Sequence, residues 1–372
     1  MLPPAVRALV RNTPTVAPIP NRAFLSVTGS HATEFLNGVI AAAVPQSKHD
    51  HFFSAILHPQ ASLGRVLYDV FLYGYTDPAG VDGYLIEYDA SPSEAPPFLP
   101  MLKRYVLRSK VKLRDLSNDY DVWASWGSER EKSWETERVW NHARSGAIEP
   151  VWNPEAEWPW GSTLGVLRDR RAVRMGHRLL VKKGDHPQEV STHDVAPADA
   201  YLLHRILNGV PEGVIDIQPT HAFPMDSNLD IMGGLDFRKG CYVGQELTVR
   251  TYHTGIIRKR ILPVLLHSQY EKSPFKPEFS PTAPSNIPAH LDIRAQLIRT
   301  QNDDTPRPRP RGTGKLLSST QGVGLALLRL EHVDAVEKGE AKFEVDVGDE
   351  KTPLGLTHWW PNWWPMSAQE SS

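Results

Sequence analysis

The sequence predicts an α+β fold that ends in a small β-barrel. In the first third of the chain, short strand patterns joined by hairpin turns interleave with helices and do not alternate regularly with them. Near the C-terminus several short strands follow one another with no convincing helix between them, which favours a small barrel. The length of 372 residues further predicts two or more packed units.

The first predicted unit is a body over residues 22–255. Its ordered part is expected to begin with a strand at residues 22–27, followed by a helix with Ser30 as N-cap. Further elements are expected along the chain: strands at 55–57, 65–73, 84–88 and 111–116, a hairpin turn at 76–80 and a helix at 98–109. Residues 127–160, rich in charge, tryptophan and proline, are interpreted as a surface insertion within this body.

The remaining segments complete the predicted division. Residues 1–21 are interpreted as a leader or transit-peptide remnant, since the first 33 residues hold three arginines and no acid; a frayed, proline-rich terminus is an equal alternative. A helix stripe at 202–207 closes at Gly209. The barrel is expected over 256–366, with strands at 256–266, 322–330 and 341–347, a proline-rich insertion near 267–311, and a tail at 367–372.

Composition excludes several classes of function. A formal net charge of -2 gives no global basic field for nucleic acid, and no apolar run approaches the roughly 20 residues that span a bilayer. The single cysteine, Cys241, excludes an internal disulfide, a self-contained zinc ribbon and a four-cysteine cluster site. Any cluster chemistry must therefore take ligands from another molecule.

The most informative segment surrounds Cys241. Gly240 and Gly244 flank the cysteine and are expected to permit a tight backbone path, and a short helix is predicted from Gln245 onward. A helix N-terminus and the neighbouring cations would favour the thiolate, which is a nucleophile and a metal ligand. From composition alone, a lone cysteine is more often a small buried apolar residue.

The octapeptide Lys-Gly-Cys-Tyr-Val-Gly-Gln-Glu at 239–246 resembles the signature of the YgfZ-type proteins, which include mitochondrial assembly factors. These proteins belong to the superfamily of the glycine-cleavage aminomethyltransferase. Residues 204–213, 224–230 and 247–260 resemble the same family, and 64–70, 102–111 and 324–330 do so more weakly. Three residues inserted after Gln60 depart from the family pattern.

The resemblance implies a ring of two sheet-containing subdomains plus the barrel, around a folate-like cavity. It also implies a factor of the mitochondrial matrix, a monomer when alone, that helps an A-type carrier mature four-iron clusters for enzymes such as aconitase and lipoate synthase. Cys241 would supply one thiolate to a transient two-iron cluster shared with that carrier. No nucleic acid or membrane partner is expected, and tetrahydrofolate is the implied cofactor.

Two sets of residues are predicted to assist. The motif set is expected to tune the pKa of the cysteine or to position it: Arg238, Lys239, Gly240, Tyr242, Gly244, Gln245, Glu246 and Arg250. The alternatives are that Arg238 and Lys239 are solvated surface charges and that Gln245 and Glu246 only cap the helix. The pocket set is expected to make polar contacts in a folate-like cavity: Arg65, Asp69, Asp226 and Asn228. Asp69 is expected to point inward with Arg65 as its partner on the same strand face, or else to form an exposed ion pair with it.

Two other functions remain open from the sequence. A folate-dependent aminomethyltransferase- or demethylase-like enzyme would use a carboxylate at the reacting nitrogen and would not require Cys241. A folate-responsive accessory protein of RNA modification gains no support from the near-neutral charge. Residues 312–316 do not form a phosphate-binding loop, because the glycine spacing and the Ser or Thr after the lysine are missing.

Overall fold

The computed structural model describes residues 3–11, 13–60, 63–128, 138–153, 155–268, 287–298, 314–348 and 353–365. The helices within these residues are α1 (Pro4–Arg7), α2 (Ala32–Asn37), α3 (Phe98–Val106), α4 (Ala198–Leu207), α5 (Gly213–Asp216), α6 (Glu246–Thr254) and α7 (Leu330–Glu337), with a 3₁₀ turn at Gln188–Ser191. None of these helices is long and apolar enough to cross a bilayer.

The described strands are β1 (Thr15–Ile19), β2 (Arg22–Thr28), β3 (Phe52–Leu57), β4 (Val66–Thr76), β5 (Asp82–Asp89), β6 (Lys112–Asp115), β7 (Tyr120–Trp126), β8 (Val139–His142), β9 (Ile148–Val151), β10 (Val166–Arg168), β11 (His177–Lys182), β12 (Asp194–Val195), β13 (Lys259–Ser268), β14 (Asp292–Leu297), β15 (Gly314–Thr320), β16 (Val323–Arg329), β17 (Ala341–Val345) and β18 (Leu354–His358). The chain divides into two compact units. The larger contains Arg11–Tyr201, Glu212–Ile257 and Pro365–Ser372, and the smaller contains Met1–Val10, Leu202–Pro211 and Arg258–Trp364.

The first sheet of the larger unit has the antiparallel strand order β3-β4-β5-β2-β6. The predicted hairpin is confirmed, because β4 and β5 pair from Thr76 opposite Asp82, and Asp77 Oδ1 accepts the N–H groups of Ala79 and Val81 in the turn. Helices α2 and α3 contribute apolar side chains to the core of this sheet. The N-cap of α2 is His31 with no side-chain cap, so the predicted Ser30 cap is wrong.

The second sheet of the larger unit has the order β10-β11-β7-β1-β12. Its strand β1 lies between β7 and β12, and its first three residues are fully buried. Ordered structure therefore begins before Arg22, which corrects the predicted start. The prolines around this stretch are typical of irregular chain, but burial of its apolar residues between two strands decides the local structure.

A buried ionic network lies between the two sheets. Glu87 of β5 pairs with Arg22 of β2, Nε to Oε1 2.6 Å, and with Arg178 of β11. Glu212 accepts from Arg178 at 3.0 Å and from Arg171 at 2.7 Å. Burial would raise the pKa of Glu87, but the two guanidinium groups overcome this and hold it below its usual value. The network thus joins residues of both sheets within the larger unit.

Part of the predicted surface insertion is packed against the body. Strands β8 and β9 form a hairpin, and Ala147, Glu149 and Trp160 are buried. The Trp160 ring stacks on Phe53 of β3 at 6.2 Å between centroids. The interpretation as a surface insertion is therefore corrected for these three buried side chains, whereas β8 is mostly exposed and residues 129–137 and 154 lie outside the described residues.

The smaller unit contains the closed barrel β13-β16-β15-β14-β17-β18, which confirms the predicted barrel. Its first strand begins at Lys259, not at residue 256, and α7 between β16 and β17 is a helix that the sequence analysis missed. Trp359 packs in an apolar cluster that α4 forms with strands of the barrel, and Trp363 Nε1–H donates to the Asn208 carbonyl at 2.9 Å. Most of the predicted insertion near 267–311 and the tail at 367–372 lie outside the described residues.

Candidate functional site

The candidate site is the cysteine loop, residues 236–245, which leads into α6. Cys241 is exposed on this loop. The loop lies along the chain that leaves α2, from Gly38 to Ala42. That chain in turn pairs with the edge strand β3 through the Ile40–Ile56 bridge. The cysteine is therefore presented by a loop that is fastened to the edge of the first sheet.

Backbone hydrogen bonds fix the loop on both sides of the cysteine. The Asp236 N–H donates to Ala41 O at 3.0 Å before it, and the Val243 N–H donates to Gly38 O at 3.0 Å after it. Arg238 N–H donates to Asp236 Oδ1 at 2.8 Å, which closes a local turn. Because the chain before and after Cys241 is hydrogen-bonded to the same segment, Gly38–Ala42, the cysteine lies on the outer side of a loop whose two ends are fixed.

The side chain of Lys239 also holds the cysteine loop in place through hydrogen bonds. Its ammonium donates to Ile40 O at 2.8 Å and to Ala42 O at 2.9 Å, and it lies 4.9 Å from the centre of the Tyr242 ring. Burial lowers the pKa of Lys239 to about 8, against the opposing effect of Asp236. The structure therefore gives Lys239 an anchoring role in the loop, and its charge is directed to these carbonyl groups.

Tyr242 and Gln245 form the inner side of the loop. Tyr242 is buried, its N–H donates to Gln245 Oε1 at 3.2 Å, and its hydroxyl has no hydrogen-bond partner among the described residues. Burial raises the pKa of Tyr242. Gln245 occupies the N-cap position of α6 without a side-chain cap, so its side chain orients the loop and does not cap the helix.

The two glycines of the motif differ. Gly244 has φ +80°, and a Cβ there would lie 2.5 Å from His58 O and 2.8 Å from the Leu57 Cβ. Gly240 has no positive φ, and a Cβ there would meet nothing within 4 Å. The expectation of a tight path is confirmed at Gly244 and wrong at Gly240.

The hairpin β8–β9 supports the base of the loop, which the sequence analysis missed. Buried Glu149 of β9 accepts from the Tyr252 hydroxyl at 3.1 Å and lies 4.0 Å from Arg238 Nη2. Phe237 stacks on Tyr252 at 4.0 Å between ring centroids. No signal in the sequence links Glu149 to a motif about ninety residues away. Glu246 and Arg250 of α6 are exposed.

Comparison with known proteins decides the family. The chain is 35% identical over 328 residues to the mitochondrial iron–sulfur cluster assembly factor IBA57 homolog of Cryptococcus neoformans, with 86% of this chain and 84% of that protein covered. It is 33% identical to the IBA57 homolog of Mycosarcoma maydis, covering 94% and 85%, and 35% identical to that of Pyricularia oryzae, covering 92% and 83%. The chain belongs to the IBA57 family. It is therefore a mitochondrial protein of iron–sulfur cluster assembly.

Two further likenesses concern the fold of this IBA57-family chain. Residues 258–366 match the CAF17 C-terminal β-barrel domain, which agrees with the observed barrel. The glycine cleavage system aminomethyltransferase T of Bartonella henselae superposes with a TM-score of 0.58 over 96% of this chain and 88% of its own, at 14% identity. The aminomethyltransferase fold predicted from the sequence is thus confirmed.

In this IBA57-family chain, the predicted pocket residues have separate partners. Asp69 is buried, both its carboxylate oxygens lie 3.2 Å from the Gly213 N–H, and burial raises its pKa against the lowering effect of Arg22. Arg65 lies over the Phe223 ring, 5.8 Å from its centre, so the predicted Arg65–Asp69 pair is wrong.

Asp226 and Asn228 follow Phe223 in the segment that pairs with the start of β4. Asp226 is half-buried and Asn228 is fully buried with φ +63°. The Val66 N–H donates to Ala222 O at 2.9 Å, which brings the Arg65 end of β4 to this segment. A role of the pocket set toward a folate stays a prediction.

Within the described residues, no three His, Cys, Asp or Glu side chains come together as a metal site. The chemistry that the cysteine loop offers is that of a single accessible sulfur. Such a sulfur is suited to complete a coordination sphere that another molecule mostly provides.

Proposed function

We propose that this chain helps an A-type carrier mature four-iron clusters in the mitochondrial matrix. In this proposal Cys241 supplies one thiolate to a two-iron cluster that is otherwise held by the carrier's cysteines. The cluster is the cargo, and the chain acts as a ligand-sharing partner for it. As sulfur binds iron, the thiol releases its proton to water.

The observation that carries the proposal is the exposure of Cys241 on a loop fixed on both flanks. The Asp236 and Val243 backbone bonds and the Lys239 anchor limit the freedom of the loop while the sulfur faces solvent. A preorganised ligand loses less conformational entropy when it binds. A single cysteine in the whole chain fits a role that needs only one ligand.

The proposal is tested by anaerobic mixing of the chain with an A-type carrier that holds a two-iron cluster. Gel filtration with visible absorbance then follows the cluster. Wild type should give a coloured heterocomplex, and Cys241→Ser should give none. The matched control is Cys241→Ser with Ser93→Cys, which carries one thiol at another exposed position and should also give none.

Two results would overturn the proposal. One is a heterocomplex of equal colour with Cys241→Ser, which would show that the cluster is bound by other groups. The other is turnover of a methyl or aminomethyl donor by the folded Cys241→Ser variant without any complex. That result would assign the chain to the folate-dependent enzymes of its fold.

A further inference from the structure

A strongly basic surface lies where α3 passes into the edge strand β6. Six exposed cations occupy it, and no acidic residue lies between Glu94 and Asp115: Lys103, Arg104, Arg108, Lys110, Lys112 and Arg114. None of the six forms an ion pair with a carboxylate in the described part of the chain. In a chain of formal net charge -2, this is a marked local separation of charge.

An apolar side chain projects from the middle of this basic surface. Leu107 is 89% exposed and has φ 42° and ψ −108°. The Ser109 N–H donates to Val106 O at 2.7 Å, so Leu107 is the first central residue of a turn of type II′ geometry. Glycine is the usual residue there because an L side chain is strained. Neither the backbone conformation nor core packing therefore favours a leucine at this position.

The basic surface and the cysteine loop meet opposite ends of one short helix. Lys110 is bonded to His31 at the start of α2: its N–H donates to the His31 ring Nδ1 at 3.2 Å, and its carbonyl accepts the His31 N–H at 3.5 Å. The cysteine loop bonds to Gly38 at the end of α2. With a rise of about 1.5 Å per residue, the seven steps from His31 to Gly38 separate the two attachment points by about 10 Å.

We propose that the basic surface, with Leu107 at its centre, is a docking site for an acidic protein. The occupant is the protein that brings the two-iron cluster, and this identity rests on the proposed function. The expected complementary face is an apolar pocket for Leu107 with carboxylates around it.

Other anionic partners fit the surface less well. The one aromatic residue between Lys103 and Arg114, Tyr105, is half-buried against the core and offers no stacking platform for bases. One leucine supplies little apolar area for a bilayer, where stable attachment takes a second signal. A protein face uses both features, because it supplies a pocket as well as charge.

The charge is tested by a triple reversal, Lys103→Glu, Arg108→Glu and Lys110→Glu. Its matched control is Lys48→Glu, Lys182→Glu and Lys338→Glu, three exposed lysines elsewhere that change the net charge equally. Association with the cluster-loaded carrier is followed by stopped-flow at low and high salt. We expect the surface variant to associate about tenfold more slowly at low salt and to converge with wild type at high salt. An equal effect of both triples would overturn the proposal.

The leucine is tested by Leu107→Gly, which relieves the backbone strain and removes the side chain. We expect an unfolding temperature at or above that of wild type together with weaker binding of the carrier. Unchanged binding would exclude Leu107 from the docking site. Preferred binding of the wild type to anionic vesicles or single-stranded DNA, with none to the carrier, would overturn the choice of a protein.

The same assay separates this proposal from the proposed function. Cys241→Ser should keep fast, salt-dependent association and lose only the coloured complex. If the coloured complex forms at a rate that depends neither on salt nor on the triple reversal, the docking proposal is overturned and cluster sharing stands. Salt-dependent association in which wild type forms no coloured complex would overturn cluster sharing alone.

Discussion

At the scale of single residues, the two glycines beside Cys241 show how differently two members of one motif act. The chain at Gly244 turns with φ +80° against the backbone of His58, which a Cβ could not approach. Gly240 lies in open space with an ordinary φ. The sequence predicted one role for both, because a glycine in a motif does not reveal which conformation requires it.

Alanine substitutions should therefore have opposite effects at the two positions. Gly244→Ala is expected to lower the free energy of unfolding by about 1–3 kcal/mol, from backbone strain and the clash with His58. Gly240→Ala should be neutral or raise it by up to about 1 kcal/mol, because it restricts only the unfolded chain. Urea unfolding of both variants measures the difference. Equal losses would show that the loop conformation is not set at Gly244.

At the scale of elements, the cysteine loop depends on the chain between α2 and β3. The helix start after Gln245 was predicted from the sequence, because local patterns fix helix ends. The partners of Lys239 were not, since they are the carbonyl groups of Ile40 and Ala42, about 200 residues earlier. A backbone acceptor carries no residue type that a sequence motif could reveal.

The Lys239 anchor gives the stability of the protein a defined pH dependence. Its pKa is lowered to about 8 in the folded state from an ordinary 10.5, so the unfolded chain holds this proton more tightly. Below pH 8 both states are charged and the folded state bears the full cost of burial. Between pH 8 and 10.5 the folded state loses the proton first, and stability should rise with pH.

Urea midpoints of wild type and Lys239→Met, compared from pH 7 to 10.5, isolate this contribution because other groups titrate alike in both. The urea midpoint of wild type should rise relative to that of Lys239→Met between pH 8 and 10.5, and the difference between the two midpoints should be constant below pH 8. A difference that stays constant over the whole range would show that the ammonium titrates normally and is not buried by the loop.

At the scale of the whole molecule, the sequence predicted the kinds of secondary structure and the barrel better than it predicted which distant residues contact each other. The barrel and the first hairpin follow from alternating apolar patterns. The buried ion pairs do not, since Arg22, Glu87 and Arg178 stand far apart in the chain and each resembles a surface charge locally. Only the packing of the two sheets makes them partners, and burial makes the pairing necessary.

The network is expected to be the most sensitive polar site of the larger unit. Glu87→Gln keeps the side-chain shape but leaves Arg22 and Arg178 buried without one counter-charge, and should cost about 3–5 kcal/mol of unfolding free energy. The control is Lys183→Met, which removes the exposed 2.7 Å pair with Asp121 and should cost less than about 1 kcal/mol. Similar small losses in both variants would show that the sheets are held by apolar packing alone.

The pH dependence of the unfolding free energy shows whether Glu87 stabilises the protein through its charge or through the packing of its side chain. The pKa of Glu87 is held below its usual 4.5, so its stabilising effect is present above pH 4.5 and is lost as the pH falls below that value. Glu87→Gln should lack this acid-dependent loss, and the two unfolding curves should approach each other as the pH is lowered. If the gap between them stays constant down to acid pH, the cost comes from packing around the amide, and the charge of Glu87 does not join the two sheets.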